Sequence, residues 1–274
     1  MDRVIRLIDR LTDDALMLFF LLLFLIGGYT MYDTLQIYDA ARGEDLRSFR
    51  PLMVQEDGGE EAVVWDMSAL SEDVVAWLTV DDTNIDYPVM QGEDNSEYLN
   101  KDPFGAFSLA GSIFLDARNA GDFTDPYSLI YGHHMEYGRM FGALDEFLDE
   151  GYFDRHRTGT LTVADRVYTI HFFACLEADA TEEAIFAPTE TDGTLEYVLE
   201  NAAILREMEA DGPLIALSTC KLPQTMDRII VFGVLSDEQE MGQDDDSAAA
   251  ADDAGDAPAG AGGGGRDGDN SLHG

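Results

Sequence analysis

Residues 214–235 read Leu214-Ile215-Ala216-Leu217-Ser218-Thr219-Cys220-Lys221-Leu222-Pro223-Gln224-Thr225-Met226-Asp227-Arg228-Ile229-Ile230-Val231-Phe232-Gly233-Val234-Leu235. Two apolar runs flank a polar, proline-containing stretch, which is the pattern of two strands joined by a loop. Alternation in the first run sets Cys220 on the face of Ser218 and Ala216, opposite Leu217 and Ile215. The second run begins at Arg228, so the seven-residue loop 221–227 brings Arg228 back to about the level of Cys220. Between residues 207 and 265 the only basic side chains are Lys221 and Arg228, and both flank this thiol. Two neighbouring cations lower a cysteine pKa from about 8.5 and raise its thiolate fraction. On the loop alone, an ordinary surface ion-pair role for Arg228 stands equally open.

Working outward, the same short-strand pattern recurs. Residues 77–80 and 85–89 flank the turn signal Asp81-Asp82-Thr83-Asn84, and 112–115 and 127–131 are bounded by Gly, Asp and Pro. Residues 160–163 and 166–177 form a hairpin around Ala164-Asp165. Helical spacing is present at 35–46, at 140–148, and in Leu195, Val198, Leu199, Ala202 and Leu205, a helix extended over 194–209 and stopped by Asp211-Gly212-Pro213. The fold class is therefore mainly β: a closed or nearly closed barrel of seven to eight strands, with N-terminal helices and a helix before the Cys220 strand.

The ends differ from this middle. Residues 15–32, ALMLFFLLLFLIGGYTMY, carry no charge. A helix of that length is about 27 Å long, close to the hydrocarbon thickness of a bilayer, and its Leu, Phe and Ile side chains favour insertion by about 5 kcal/mol. No small-residue cleavage site follows, so an uncleaved anchor is expected rather than a signal peptide. Three arginines lie on each side of the span, Arg3, Arg6 and Arg10 against Arg42, Arg47 and Arg50, so charge does not orient it. Residues 237–274 hold 11 acids and one arginine, with Met241 and Leu272 as the only large apolar side chains, the composition of a disordered acidic tail. The chain divides into an N-terminal stub and anchor (1–33), a helical or linker segment (34–64), a β-rich domain (65–236) and the tail (237–274).

Over its 274 residues the chain has 16 Lys plus Arg against 55 Asp plus Glu, a net charge of −39. That balance argues against nucleic acid, whose binding rests on neutralising phosphates. The two cysteines cannot make a disulfide framework. One bridge between Cys175 and Cys220 is an alternative to a reactive thiol. Cys175 lies in an apolar strand and reads as inert packing. His133, in Tyr131-Gly132-His133-His134, follows a strand directly, and imidazole suits general acid–base work near neutrality. The adjacent histidines lack metal-ligand spacing, the Asp-rich stretches lack a calcium-loop pattern, and 259–265 lacks the lysine of a phosphate loop, so no metal or cofactor is expected.

Four motifs, in order, resemble one family. Leu217-Ser218-Thr219-Cys220 with downstream Arg228 is similar to the sortase signature TLxTC and its arginine, with Ala216 in place of the first Thr. Tyr131-Gly132-His133 resembles the sortase Gly-His. The segment from Trp77-Leu78 through Asn84 to Gly92, with Asp94-Asn95, Tyr98-Leu99-Asn100 and 111–116, is similar to class B sortases, as is the expected helix 194–209. Where some members carry an acidic residue after the cysteine, this chain has Lys221.

The resemblance covers about residues 65–236. It implies a membrane-anchored cysteine transpeptidase on the outer face of a Gram-positive cell, N-terminus inside. Such an enzyme cleaves a sorting signal after Thr, holds a thioester, and passes it to an amine of peptidoglycan or of a pilin subunit. By the same resemblance Cys220 is the nucleophile, His133 the acid and base, and Arg228 the oxyanion or backbone partner. Asn95, Leu99, Tyr131 and Ser218 are the implied substrate contacts. The alternatives are a cysteine hydrolase using the same dyad with water as acceptor, and a non-catalytic binding module in which Cys220 is buried or bridged.

Overall fold

A computed structural model of the chain describes residues 2–40, 46–55, 61–164, 166–189, 193–208, 210–220 and 226–237. Of the tail expected at 237–274, Asp237 ends a strand and the remainder lies outside the described residues, as does part of the 34–64 segment.

Eight strands form the barrel: β1 (Val74–Val80), β2 (Asp86–Met90), β3 (Ile113–Leu115), β4 (Tyr127–Tyr131), β5 (Thr158–Val163), β6 (Arg166–Asp179), β7 (Leu214–Cys220) and β8 (Asp227–Asp237). Their order is β6-β8-β7-β4-β3-β2-β1-β5, and β5 pairs back onto β6, which closes the sheet. Closure leaves these strands without open edges. The pairs β2–β3 and β4–β7 are parallel, and the other pairs around the barrel are antiparallel. The β5–β6 hairpin sets Val163 opposite Arg166, as the sequence predicts.

Alternation sorts the strand side chains onto two faces. In β7, Ile215 and Leu217 join the interior with Trp77, Phe147 and Phe172, while Ala216 packs outside with Tyr127, Leu129 and Phe232. Burying each large side chain stabilises by about 2–3 kcal/mol. In β6 a register shift between Phe172 and Ala174 changes the phase. Such a bulge puts the next odd-numbered side chain back inside, so Phe172 and Cys175 both join the interior cluster, with Phe173 and Ala174 outside. Cys175 is a buried free thiol, which removes the proposed bridge to Cys220. Burial first, then the Glu177 and Asp145 charges, push its pKa up to about 12.

Among the described residues, four α-helices accompany the barrel: α1 (Asp2–Ala40), α2 (Glu150–Phe153), α3 (Glu183–Phe186) and α4 (Thr194–Asn201). The apolar stretch 15–32 lies within α1, whose segment Arg3–Ile37 is long and apolar enough to cross a membrane. The helix expected from Leu35 is thus partly the end of α1, and its 41–45 portion lies outside the described residues. Residues Gly142–Leu148 form a 3-10 helix.

The helix expected over 194–209 is shorter. It ends at Asn201, whose side-chain amide donates to the Tyr197 carbonyl, and Ala202 turns to extended backbone. Ile204 and Leu205 then pair with Cys175 and Ala174 of β6. Sheet hydrogen bonding overrides helical spacing here, and Asp211-Gly212-Pro213 leads into β7 rather than stopping a helix.

Candidate active site

Parallel pairing of β4 with β7 builds the site. Ser218 sits opposite Tyr131, the Gly132 amide donates to the Ser218 carbonyl at 3.1 Å, and Thr219 Oγ1 donates to the Gly132 carbonyl at 3.0 Å. Two residues beyond each member of the Ser218–Tyr131 pair come Cys220 and His133. On its other side, the Cys220 backbone is in register with Arg228. Three residues far apart in the chain are thus carried by three neighbouring segments at one end of the barrel. Lys221 lies outside the described residues.

A cleft of about 380 Å³ opens at this end, lined by Asn95, Leu99, Phe114, Tyr131, Gly132, His133, Ala180, Phe186, Ser218, Thr219 and Arg228. Asn95, Leu99, Tyr131 and Ser218 therefore share one wall system with His133 and Arg228. Ser218 is 1% exposed, and its buried hydroxyl has no hydrogen-bond partner among the described residues. Phe114, Gly132 and Thr219 lie within the quoted motifs without having been named as contacts, whereas Ala180 and Phe186, from the part of the β6–β7 connection before α4, were not singled out at all.

His133 is held from two sides. Its Nε2 lies 2.8 Å from the Leu99 carbonyl oxygen. A carbonyl can only accept, so this contact requires the proton on Nε2 and leaves Nδ1 as the basic nitrogen of the neutral ring. The His133 carbonyl in turn accepts from the Phe141 amide at 3.0 Å. Gly132 lies against the Phe141 ring, where an added Cβ would sit 2.6 Å from Cδ2. That close approach explains the glycine before His133. The next residue, His134, pairs with Asp145 at 2.6 Å.

Two further histidines are structural. His156 is buried, stacks on Tyr152 and contacts the Tyr152 carbonyl through Nδ1, and His171 is buried with Nε2 3.0 Å from the Ser236 hydroxyl. Among the described residues, no group of three or more His, Cys, Asp or Glu is arranged to hold a metal ion.

Behind the cleft lies Asp116, fully buried at the end of β3. Its carboxylate accepts from the Arg118 amide, Nε and Nη2 at 3.0, 2.8 and 2.7 Å, from Asn95 Nδ2 at 2.8 Å, and from the Tyr131 hydroxyl at 2.9 Å. Burial alone would raise its pKa, but the Arg118, Tyr131 and Asn95 bonds outweigh that and hold it below the usual carboxylate value. Burial, then the Asp116 charge, raise the Tyr131 pKa, so the phenol remains a donor.

A carboxylate with a depressed folded pKa stabilises the fold fully above its unfolded value of about 3.9 and loses that contribution as pH falls through its folded value. Wild type is therefore expected to lose stability relative to Asp116→Asn as pH drops below about 4. Denaturant unfolding from pH 7 to 2 measures this, and parallel stability curves for the two proteins would contradict it.

Comparison with known proteins identifies the family. The family model for the sortase domain matches residues 78–236. Sortase B of Listeria monocytogenes is 33% identical over 180 residues, covering 62% of this chain and 72% of that protein. The structure of a Streptococcus pyogenes class B sortase involved in pilus biogenesis is 40% identical with a TM-score of 0.58, covering 62% of this chain and 96% of the other. Sortase B from the type II pilus of Streptococcus pneumoniae is 36% identical with a TM-score of 0.51, covering 60% and 93%. The fold is thus shared with these proteins, and the chain belongs to the sortase family of cysteine transpeptidases, in class B.

Proposed function

We propose that the chain is a membrane-anchored transpeptidase that cuts a C-terminal sorting signal after Thr and transfers the new carboxyl terminus to an amine. The Cys220 thiolate attacks the Thr carbonyl carbon, and Arg228 donates to the developing oxyanion or holds the peptide backbone. The C–N bond breaks as His133 protonates the leaving amine, which leaves a thioester on Cys220. An incoming amine then attacks that thioester, His133 takes its proton, and the C–S bond breaks to regenerate the thiolate. Asn95, Leu99, Tyr131 and Ser218 contact the peptide. The observation that carries this reading is the register: Cys220 opposite Arg228, on the strand whose parallel neighbour runs into His133.

An anchor at 15–32, within α1, with the N-terminus inside, sets the 65–236 domain outside the cell, where sorting signals and their acceptors meet. The relatives at 40% and 36% identity both serve pili, which supports a pilin amine over a peptidoglycan cross-bridge. Hydrolysis by the same dyad is the competing reading. Incubating the detergent-solubilised chain with peptides containing Thr-Gly or Thr-Asn bonds, with and without an added amine, separates the two. Ligated product that grows with amine concentration is expected; free acid alone at every amine concentration would favour hydrolysis.

A further inference from the structure

The carbonyls at the end of α3 have no partners within so short a helix, and three side chains from elsewhere take them. Thr194 Oγ1 donates to Ala184 O at 2.8 Å, the buried Tyr127 hydroxyl to Ile185 O at 3.0 Å, and Arg118 Nη2 to Phe186 O at 2.7 Å. The third bond differs from the others because the same guanidinium is also forked onto Asp116. Asp116 in turn holds Asn95 and Tyr131, and the Tyr131 ring packs on Phe114 at 5.3 Å between centroids. Asn95, Phe114, Tyr131 and Phe186 all line the cleft. One ion pair therefore joins the barrel wall of the cleft to the wall that the β6–β7 connection supplies.

We propose that Arg118 is a positioning residue that fastens the Phe186 wall to Asp116 and so sets the width of the cleft for an extended peptide; this rests on the transpeptidase reading above. The bond geometry needs arginine. A guanidinium presents several donors in a fixed plane and can grip a carboxylate and a third acceptor together, whereas an ammonium is a compact point charge. Without the tether, Phe186 is held by its amide bond to the Glu182 carbonyl, by packing on the outer apolar cluster and by the neighbouring Ile185 and Ala184 bonds, none of which ties it to Asp116. Peptide binding then has to order that wall at its own expense.

The test uses the detergent-solubilised full chain as wild type, Arg118→Ala and Arg118→Lys. Hydrogen exchange at the Phe186 and Ala187 amides is expected to speed up about tenfold or more in both variants, with β4 and β7 unchanged. KM for the Thr-Gly or Thr-Asn peptide that wild type cleaves best is expected to rise about tenfold, while kcat falls less than about threefold and alkylation of Cys220 by iodoacetamide keeps its rate. Unchanged exchange at 186–187 in Arg118→Ala, or full restoration of both readouts by lysine, overturns the proposal. An equal loss of kcat, alkylation rate and barrel protection also overturns it, because that is general unfolding. Should wild type cleave no peptide while the exchange pattern appears as expected, the reaction assignment falls and the tether stands.

Discussion

Cys220→Ala and His133→Ala are each expected to lower peptide cleavage by about 10⁴-fold or more, the scale seen when a nucleophile or its base is removed from a covalent mechanism. Cys175→Ala is expected to keep wild-type turnover. The contrast follows from where the two residues lie in the barrel. Cys175 is wholly buried among apolar side chains, with its pKa pushed up to about 12, so at neutral pH it is a protonated, inaccessible thiol. Cys220 closes β7 in register with Arg228, on the strand bonded to the turn that carries His133. A fluorogenic peptide assay on purified variants measures the activities. Mass spectrometry of trapped acyl-enzyme should find the adduct on Cys220 in wild type and in Cys175→Ala, and on neither cysteine in Cys220→Ala. Because the Cys175 sulfur fills interior space, its removal is expected to cost about 1 kcal/mol of stability, visible in a melt but not in turnover. Full activity in Cys220→Ala would end the transpeptidase reading outright.

Alternation and turn chemistry carried the barrel strands because both are local. Residues 127–131 lie between Asp125-Pro126 and Gly132, and the strand has those bounds. Where a long-range pairing competes with a local pattern, reading by period fails, as at Leu205. That residue has helical spacing from Leu195 and yet sits in a two-residue strand against Ala174. The bulge in β6 is equally silent in sequence, since Phe172 and Phe173 are both apolar whichever faces inward.

At the candidate site, the neighbouring placement of Cys220, His133 and Arg228 is legible because each sits at or just past a strand end in a recognisable motif. The residues that hold the cleft in shape were not. Asp116 binds Asn95 and Tyr131, 21 and 15 residues away, and Arg118 reaches a main-chain oxygen 68 residues on. A backbone acceptor leaves no trace in side-chain identity. The one local hint was an acid ending an otherwise apolar strand, with an arginine two positions later.

Gly142→Ala is expected to cost about 10²-fold in kcat/KM, although residue 142 is not among those lining the cleft. The added Cβ would fall on the Met135 carbonyl oxygen, with the Met135 carbonyl carbon at 3.0 Å and its nitrogen at 3.2 Å, so backbone rather than a flexible side chain has to give way. Met135 belongs to the small hairpin in which His134 pairs with Met140 and Met135 with Arg139. That hairpin follows His133 directly, and the Phe141 amide just before Gly142 donates to the His133 carbonyl. Any displacement at 135 is therefore passed to the imidazole from both sides. Overpacking at a buried position also destabilises, here by about 1–3 kcal/mol. Gly27→Ala is the matched control, because nothing lies within 4 Å of its added Cβ and it should leave the kinetics alone. If Gly142→Ala melts earlier but keeps wild-type kcat/KM at 25 °C, the hairpin serves stability only, and the position of His133 must be fixed by the Leu99 contact instead.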